Sequence, residues 1–282
     1  MIAVVDYQKG NLKSVERGLI AAGGEAFITA DASEIAKADA IVLPGVGAFA
    51  DAAATMCELE QMEVIHDRVR AGVPFLGICL GEHLMFEHGV EGAPEGNPAC
   101  GLGLLPGTVV AMPRYDTQGK TFKVPHVGWN TIEMPACNGG AAVPPCGEGG
   151  GNAVLSSGGA GGGAARSSAA KRGLFEHGAF PGSAPQAGSE LAFPDSTSQP
   201  GSNLAFACPL FDGIAPGEYF YFTHSYIAPT GSHTIAETAH STRFTSAVQF
   251  GERAFGVQFH PEKSSDAGAR VLANFVAIAA RG

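Results

Sequence analysis

The sequence lacks a long apolar run. No segment of its 282 residues reaches the roughly 20 consecutive apolar residues that cross a membrane. The start, MIAVVDYQKG, has neither the basic flank nor the apolar stretch of a secretory signal. We therefore expect a protein that neither enters nor spans a membrane.

Basic residues are also scarce, with 17 Lys and Arg against 27 Asp and Glu and a formal net charge of −10. Nucleic acids and anionic membranes bind basic surfaces, so neither is an expected partner. The chain is 45% hydrophobic and 16% charged, which is typical of a soluble protein with a substantial core.

Paired cysteine motifs are missing too. The six cysteines are scattered without a CxxC pair, at positions 57, 79, 100, 137, 146 and 208. This spread favours a reduced, cytoplasmic protein over one stabilised by disulfides. Neither the cysteines nor the nine histidines have the spacing of a metal site. We expect no metal and no other cofactor.

The first part of the chain alternates short apolar runs with amphipathic stretches. Four runs are expected as strands, at 2–6, 25–29, 40–45 and 74–78, and two stretches as helices, at 11–23 and 49–72. Strands that are apolar on both faces and alternate with helices indicate a parallel sheet covered on both sides.

The later sequence changes character after residue 101. Short β-rich runs broken by turns predict that antiparallel strands are added to the sheet. Residues 264–280 predict a closing helix, with Ser264 or Ser265 as its cap. The expected fold class is therefore α/β, mostly parallel with added antiparallel strands.

A stretch at about 136–207 is dominated by Gly, Ala, Ser and Pro. Such a composition cannot bury enough apolar area to offset the entropy lost on ordering. We expect a disordered or loosely ordered surface insertion that interrupts a single domain spanning residues 1–282.

Cys79 lies where a strand meets a helix, in PFLGICLGEHLMFE at 74–87. Gly77 and Gly81 flank it symmetrically, which is the cysteine counterpart of the nucleophile elbow. Such a turn strains the central residue, and the helix that follows points N–H groups at the sulfur and favours the thiolate. A buried cysteine is also a common core residue, and the elbow alone does not decide between the two.

A partner for Cys79 lies about 180 residues downstream, in FGVQFHPEKS. His260 and Glu262 are two residues apart at the end of an apolar strand, so their side chains are expected on the same side. A carboxylate that holds an imidazole in one tautomer is the arrangement of nucleophile–His–acid triads. His260 would take the thiol proton and later return one to the leaving amine.

A glycine-rich turn supplies candidate donors for a developing negative charge. LPGVGAF at 43–49 follows a predicted strand. The N–H of Val46 or Gly47, together with the N–H of Leu80, would form an oxyanion hole. An ordinary turn at a strand end is the alternative when this motif is taken alone.

The motifs GICLG, PGVG and FHPEKS together resemble the class I (triad) glutamine amidotransferases. These enzymes use a Cys–His–Glu triad on a flavodoxin-like three-layer sheet to hydrolyse glutamine to glutamate and ammonia. Further segments are similar to the glutaminase subunits of imidazole glycerol phosphate synthase in histidine biosynthesis, namely VDYQKGNLKSV, GLGLLPG, KVPHVGWN, YFTHSYI and GVQFHPEKS.

The resemblance implies roles at matching positions. Cys79 would attack the glutamine amide, and Ser225 and Tyr226 would lie beside the amino acid end of the substrate. The family usually has Met-Gln after CLG, where the glutamine helps to hold the substrate. Here Glu82 and His83 occupy these positions, so His83 is the candidate for that contact.

The resemblance also implies a partner. Ammonia would pass, sheltered from water, to a (β/α)8-barrel synthase subunit that makes imidazole glycerol phosphate and AICAR. About 210 residues remain without the insertion and the glutaminase uses them all, so the barrel, of roughly 250 residues, is expected as a separate chain in a heterodimer. Asn11, Trp129 and Lys263 would belong to the docking surface.

Three alternatives stay open. The chain could serve a different synthase, act alone as a γ-glutamyl hydrolase, or be an interaction module that kept the fold and lost turnover through the Glu82-His83 pair and the insertion. A second departure from the family, Gln8-Lys9 after Asp6-Tyr7, makes the conformation of that loop an open point.

Overall fold

The computed structural model describes residues 1–135 and 206–281. The predicted insertion at about 136–207 therefore lies outside the described residues, apart from its last two. Of these two, Phe206 is packed in the hydrophobic core with 8% of its surface exposed. The insertion thus ends before Phe206.

The described residues form short strands and helices in alternation. In chain order they are β1 (Ile2–Val5), α1 (Leu12–Ala21), β2 (Ala26–Thr29), α2 (Ala32–Ile35), β3 (Ala40–Gly45), α3 (Phe49–Glu58), α4 (Gln61–Arg70), β4 (Phe75–Cys79), α5 (Leu80–His83), β5 (Phe86–Gly89), β6 (Ala99–Cys100), β7 (Leu105–Ala111), β8 (His126–Thr131), β9 (Tyr219–His224), β10 (Tyr226–Ile227), β11 (Thr234–Ala239), β12 (Arg243–Phe250), β13 (Ala254–Val257) and α6 (Ser265–Ala279). Two short 3₁₀ helices cover Pro209–Phe211 and Pro261–Lys263.

The main sheet has seven strands in the order β11-β12-β13-β4-β3-β1-β2. From β13 to β2 neighbouring strands are parallel, whereas β12 and β11 are added antiparallel. The parallel strands follow the order 2-1-3-4-5 of flavodoxin-like folds. This confirms the predicted fold class.

Both faces of this sheet are buried, because successive side chains of a strand point to opposite sides. Val4 and Val42 belong to the core on one face, which includes residues of α1 and α6. Val5 and Leu43 belong to the core on the other face, which includes residues of α3 and α4. The result is the expected three-layer arrangement.

Smaller strands surround the main sheet. A four-stranded sheet has the order β10-β7-β5-β6, and β8 pairs with β9 as an antiparallel ribbon. This ribbon brings the segments KVPHVGWN and YFTHSYI side by side, with Trp129 opposite Tyr221. In the part of the chain that the structure describes, no helix is long and apolar enough to cross a membrane.

One predicted helix is divided in two, and another is very short. The stretch 49–72 forms two helices, α3 and α4, because Glu60 adopts a left-handed conformation with φ of 57°. The helix after Cys79 is a single turn, α5, and the chain then forms strand β5. A one-turn helix has a weaker dipole than the sequence pattern suggested, because the dipole sums over aligned peptide units.

Candidate active site

Three loops meet at the carboxyl edge of the parallel sheet. β3 leads into the PGVG turn, β4 ends at Cys79, and the chain beyond β13 reaches His260. These strands are neighbours in the order β13-β4-β3, so their ends lie together. They border a cleft of about 400 Å³ whose lining includes Val46, Gly47, Ala48, Cys79, Leu80, His83, Glu91, Pro125, Thr223, His224, Ser225 and Tyr226.

The elbow at Cys79 is strained and tightly packed, as predicted. Cys79 has φ of 55° and ψ of −106°, which is unusual for a residue with a side chain. A Cβ atom on Gly77 would lie 2.5 Å from the carbonyl oxygen of Gly81, and one on Gly81 would lie 1.8 Å from that of Leu43. Only glycine fits at both positions, so the chain can cross β3 closely and present the sulfur at the strand end.

His260 and Glu262 form a buried pair beside the elbow. The Nδ1 atom of His260 lies 3.0 Å from Oε1 of Glu262, and their side chains are 4% and 2% exposed. The other ring nitrogen, Nε2, is buried and has no hydrogen-bond partner among the described residues. Burial lowers the pKa of His260, but the neighbouring Cys79 sulfur and the Glu262 carboxylate outweigh it and raise the pKa to about 9. The ring is thus oriented by Glu262 and its free nitrogen is available to Cys79.

The backbone around His260 is held by a strand of the ribbon. The N–H of His260 donates to the carbonyl of Tyr221 at 2.9 Å. The hydroxyl of Ser264 donates to the carbonyl of His260 at 2.7 Å and accepts from the N–H of Tyr221 at 3.0 Å. The side chain of Ser264 therefore ties β9 to the loop that carries His260. It makes no hydrogen bond that caps the start of α6, where the sequence predicted a cap.

One N–H group of the predicted oxyanion turn is already hydrogen-bonded within the chain. The N–H of Val46 donates to the hydroxyl of Tyr7 at 3.2 Å, and Tyr7 is fully buried. Gly47, with φ of 101°, and Leu80, the first residue of α5, both line the cleft. The Val46 N–H must leave Tyr7 before it can face a substrate, whereas Gly47 and Leu80 already border the site.

The cleft contains a carboxylate that the sequence interpretation missed. His83, Ser225 and Tyr226, the three residues predicted to bind glutamine, line the cleft, and so does Glu91. Burial raises the pKa of Glu91, the N–H of Phe49 lowers it, and the charge of Asp51 raises it further. The only sequence signal for Glu91 was an acidic residue in a loop after the elbow, and many surface residues share that description.

Glu82, three residues after Cys79, is fully buried. Neither of its carboxylate oxygens has a hydrogen-bond partner in the described part of the chain. Burial and then the charge of Cys79 raise its pKa well above the usual range. Burial therefore favours the uncharged acid at Glu82.

Two buried histidines support the rim of the cleft. Nδ1 of His126 lies 3.0 Å from Nε2 of His224, whose Nδ1 lies 2.8 Å from the carbonyl of Tyr226. Burial lowers the pKa of both, to about 4 for His126 and well below the usual value for His224. These neutral rings hold the segment that carries Ser225 and Tyr226.

Among residues 1–135 and 206–281, no group of three or more His, Cys, Asp or Glu could hold a metal ion.

The residues predicted to face a partner lie at the same edge of the sheet. Trp129 is 51% exposed and contacts Tyr221 edge to face, with 6.1 Å between the ring centroids. The Nζ atom of exposed Lys263 lies 5.9 Å from the ring centroid of Tyr221. Asn11 is half-buried and precedes α1, in the loop that follows β1. Trp129 and Lys263 thus share one surface centred on Tyr221.

The α/β fold and the Cys–His–Glu arrangement are those expected of a glutamine amidotransferase. Residues 3–136 and 188–279 match the family Glutamine amidotransferase class-I. The chain belongs to this family, and it is a glutamine amidotransferase.

Curated relatives within the family are more specific. The chain is 33% identical over 277 residues to the imidazole glycerol phosphate synthase subunit HisH of Rhodopirellula baltica, with 98% of this chain and 96% of the relative covered. It is 33% identical over 276 residues to the subunit of the same name from Moorella thermoacetica, with 97% and 93% covered.

Solved structures support the fold. A glutamine amidotransferase crystal structure has a TM-score of 0.55 at 14% identity, with 99% of this chain and 100% of that chain covered. The structure of PurLQS from Thermotoga maritima has a TM-score of 0.54 at 14% identity, with 98% and 97% covered.

Proposed function

We propose that this chain uses Cys79, His260 and Glu262 to hydrolyse glutamine to glutamate and ammonia, and that it passes the ammonia to a separate synthase subunit. That subunit makes imidazole glycerol phosphate and AICAR in histidine biosynthesis. The observation that carries the proposal is the buried His260–Glu262 pair at 3.0 Å, with the free ring nitrogen of His260 beside a strained elbow cysteine. The similarity to HisH subunits over nearly their full length supports the pathway.

The geometry supports an ordinary acyl-transfer sequence. Nε2 of His260 takes the proton of the Cys79 thiol, and the thiolate attacks the side-chain carbonyl carbon of glutamine. The resulting oxyanion binds N–H groups at Gly47 and Leu80, joined by Val46 once it is released from Tyr7. His260 then protonates the leaving nitrogen, ammonia departs, and a thioester remains. Water, deprotonated by His260, attacks the thioester and releases glutamate and the free thiol.

The amino acid end of glutamine has complementary groups in the cleft. Glu91 offers a carboxylate to the α-ammonium group. Ser225 and Tyr226 also line the cleft and offer hydrogen bonds, on the segment that His224 holds. These contacts would select a free amino acid over a peptide-bound glutamine, because the α-ammonium group exists only in the former.

An exposed aromatic surface next to the triad supports a protein partner. Trp129 and Tyr219, both on the β8–β9 ribbon, are 51% and 57% exposed, and Val46 on the oxyanion turn is 43% exposed. Large apolar side chains are enriched in protein interfaces, especially at hot spots. A (β/α)8-barrel subunit docked there would cover the mouth of the cleft and receive ammonia before water could protonate it.

The experiment mixes this chain with a candidate barrel synthase subunit and measures glutamate release with and without the nucleotide ligand of that subunit. We expect very weak activity alone and strong stimulation in the liganded complex, because the Val46 N–H is engaged by Tyr7 in the free chain. Cys79→Ala is the control and should abolish the stimulated activity.

Other outcomes would favour the alternatives. Full activity without a partner would indicate a free γ-glutamyl hydrolase. Stimulation only by another synthase would change the pathway and keep the chemistry. Absence of activity under every condition, with no effect of Cys79→Ala, would indicate an interaction module.

A further inference from the structure

Gln258 contacts the nucleophile from a second side. It lies two residues before His260 beyond β13 and has no exposed surface. Its Nε2 atom lies 3.7 Å from Sγ of Cys79, within hydrogen-bonding distance for sulfur. Its Oε1 atom lies 2.7 Å from Nε2 of His83, which is 3% exposed. The three side chains therefore form a continuous buried chain from His83 through Gln258 to Cys79.

The direction of these hydrogen bonds follows from the chemistry of each group. A thiolate only accepts, so the Gln258 amide must turn its NH2 group towards Sγ and its oxygen towards His83. That oxygen needs a donor, so His83 must carry its proton on Nε2. Burial lowers the pKa of His83 to about 4, although the hydrogen bond to Gln258 opposes this effect. His83 is thus neutral at pH 7, with Nε2–H as donor and Nδ1 as acceptor.

We propose that Gln258 is a positioning residue that donates a hydrogen bond to Cys79 Sγ, stabilises the thiolate and directs the thiol proton towards His260, and that His83 locks its amide in the required orientation. This inference rests on the proposed function and deepens it. An N–H···S bond to a thiolate is stronger than one to a thiol, because the acceptor is charged. The contact therefore favours the state that attacks substrate.

The lock by His83 matters because an amide can rotate by half a turn. Oxygen and nitrogen have nearly the same shape, so a rotated Gln258 would fill the same space. It would then place a carbonyl oxygen against the sulfur and oppose ionisation. A donor at position 83 makes the productive orientation the preferred one, because a rotated amide would set its NH2 group against the ring N–H of His83.

The test measures the pH dependence of Cys79 alkylation by iodoacetamide, read by peptide mass spectrometry on the full chain without a partner. The variants are Gln258→Leu and Gln258→Met, which remove the donor, and His83→Leu, which removes the lock. His83→Gln restores a donor at position 83. Gln249→Leu is the matched control, because the Gln249 amide donates to the local carbonyl of Gly251 at 2.8 Å.

We expect Gln258→Leu, Gln258→Met and His83→Leu to lower the Cys79 alkylation rate at pH 7 about tenfold and to move the profile to higher pH. His83→Gln and Gln249→Leu should stay within about twofold of the unmodified chain. Unchanged profiles in a folded Gln258 variant would overturn the inference, and a loss in His83→Gln equal to that in His83→Leu would overturn the lock. Two Gln258 variants are used so that misfolding of one does not decide the result.

A parallel assay separates this inference from the proposed function. In the complex with a synthase subunit, Gln258→Leu should lower kcat and leave KM nearly unchanged. Shifted alkylation profiles without any glutaminase activity would refute the function and leave the inference standing. Full kcat in Gln258→Leu would refute the inference alone.

Discussion

At the scale of single residues, the surroundings of His260 shift its pKa and thereby make the stability of the fold depend on pH. The ring is buried between the Glu262 carboxylate and the Cys79 sulfur, and its pKa is raised to about 9. The protonated ring that forms when His260 takes the thiol proton of Cys79 is therefore stable at pH 7.

This raised pKa predicts a pH-dependent stability. A group whose pKa rises on folding contributes stability that is complete below its unfolded pKa, about 6.5 for histidine, and is lost as the pH rises through about 9. Between pH 6.5 and 9.5, the thermal midpoint should therefore fall more steeply in the unmodified chain than in His260→Gln. We expect the difference in thermal midpoint between the two chains to shrink by on the order of 5 °C over this range.

Thermal melts of both chains across this range check the prediction. Repeating them in a Cys79→Ala background separates the contribution of the sulfur from that of Glu262. Parallel curves for the unmodified chain and His260→Gln would show that His260 does not titrate in this window.

The sequence predicts the triad but not the residues that support it. Cys79, His260 and Glu262 occur in motifs whose spacing has a chemical meaning. Glu91 and Gln258 come close to the site only through folding, which places Glu91 in the lining of the cleft and Gln258 against the sulfur of Cys79. A lone acid in a loop and a glutamine in an apolar strand have no spacing that predicts such contacts.

At the scale of elements, two turns control the site. The elbow after β4 is fixed by close packing at Gly77 and Gly81, and the oxyanion turn after β3 is held by Tyr7 from the loop after β1. Lys9 in that loop lies near Gly47, so the first loop approaches the oxyanion turn through both Tyr7 and Lys9. Lys9 also pairs with Asp51 of α3, with 3.5 Å between Nζ and Oδ2. One turn is rigid, whereas the other depends on contacts that a partner could change.

Tyr7→Phe should raise the glutaminase activity of the chain without a partner, on the order of tenfold. Phenylalanine keeps the buried ring but removes the acceptor of the Val46 N–H, so the turn can offer this donor to the substrate. Tyr115→Phe is the control, because Tyr115 is 61% exposed. Steady-state glutamate release checks the result, and an unchanged or lower rate in a folded Tyr7→Phe chain would contradict this role of Tyr7.

Helices α1 and α6 were predictable because the helical spacing of apolar residues repeats over several turns. The parallel strands were predictable because each is a continuous apolar run. The break between α3 and α4 was not, because Leu59 and Glu60 fit the helical pattern although Glu60 is left-handed. Strand β5 was also missed, because Leu84 and Met85 continue the apolar spacing beyond the single turn of α5. Tertiary packing decides both boundaries.

At the scale of the whole molecule, the triad and the aromatic surface lie at one edge of the sheet. We expect Trp129→Ala to weaken binding of the synthase subunit by about 30-fold, because exposed tryptophan at an interface is a frequent hot spot. Ile20→Ala is the matched control, since Ile20 is 52% exposed near the far end of α1. Titration calorimetry measures both, and equal affinities for the two variants would place the interface elsewhere.

The low-complexity insertion is expected to be dispensable for folding. The family match omits residues 137–187. Replacing residues 138–205 by a short Gly/Ser linker should keep the thermal midpoint within a few degrees, because such a sequence buries little apolar area. Differential scanning calorimetry tests this, and a loss of the cooperative transition would show that the insertion belongs to the core.

The central claim is that Cys79 is an activated nucleophile and not a packed core residue. The most direct measurement is site-resolved labelling by 6-diazo-5-oxo-norleucine, a glutamine analogue, followed by peptide mass spectrometry in the synthase complex. Cys79 is 7% exposed, whereas Cys57 and Cys100 are exposed. We predict that Cys79 is labelled first and alone, and at least about 100-fold more slowly in His260→Gln. Labelling that follows exposure, or a rate that does not depend on His260, would contradict it.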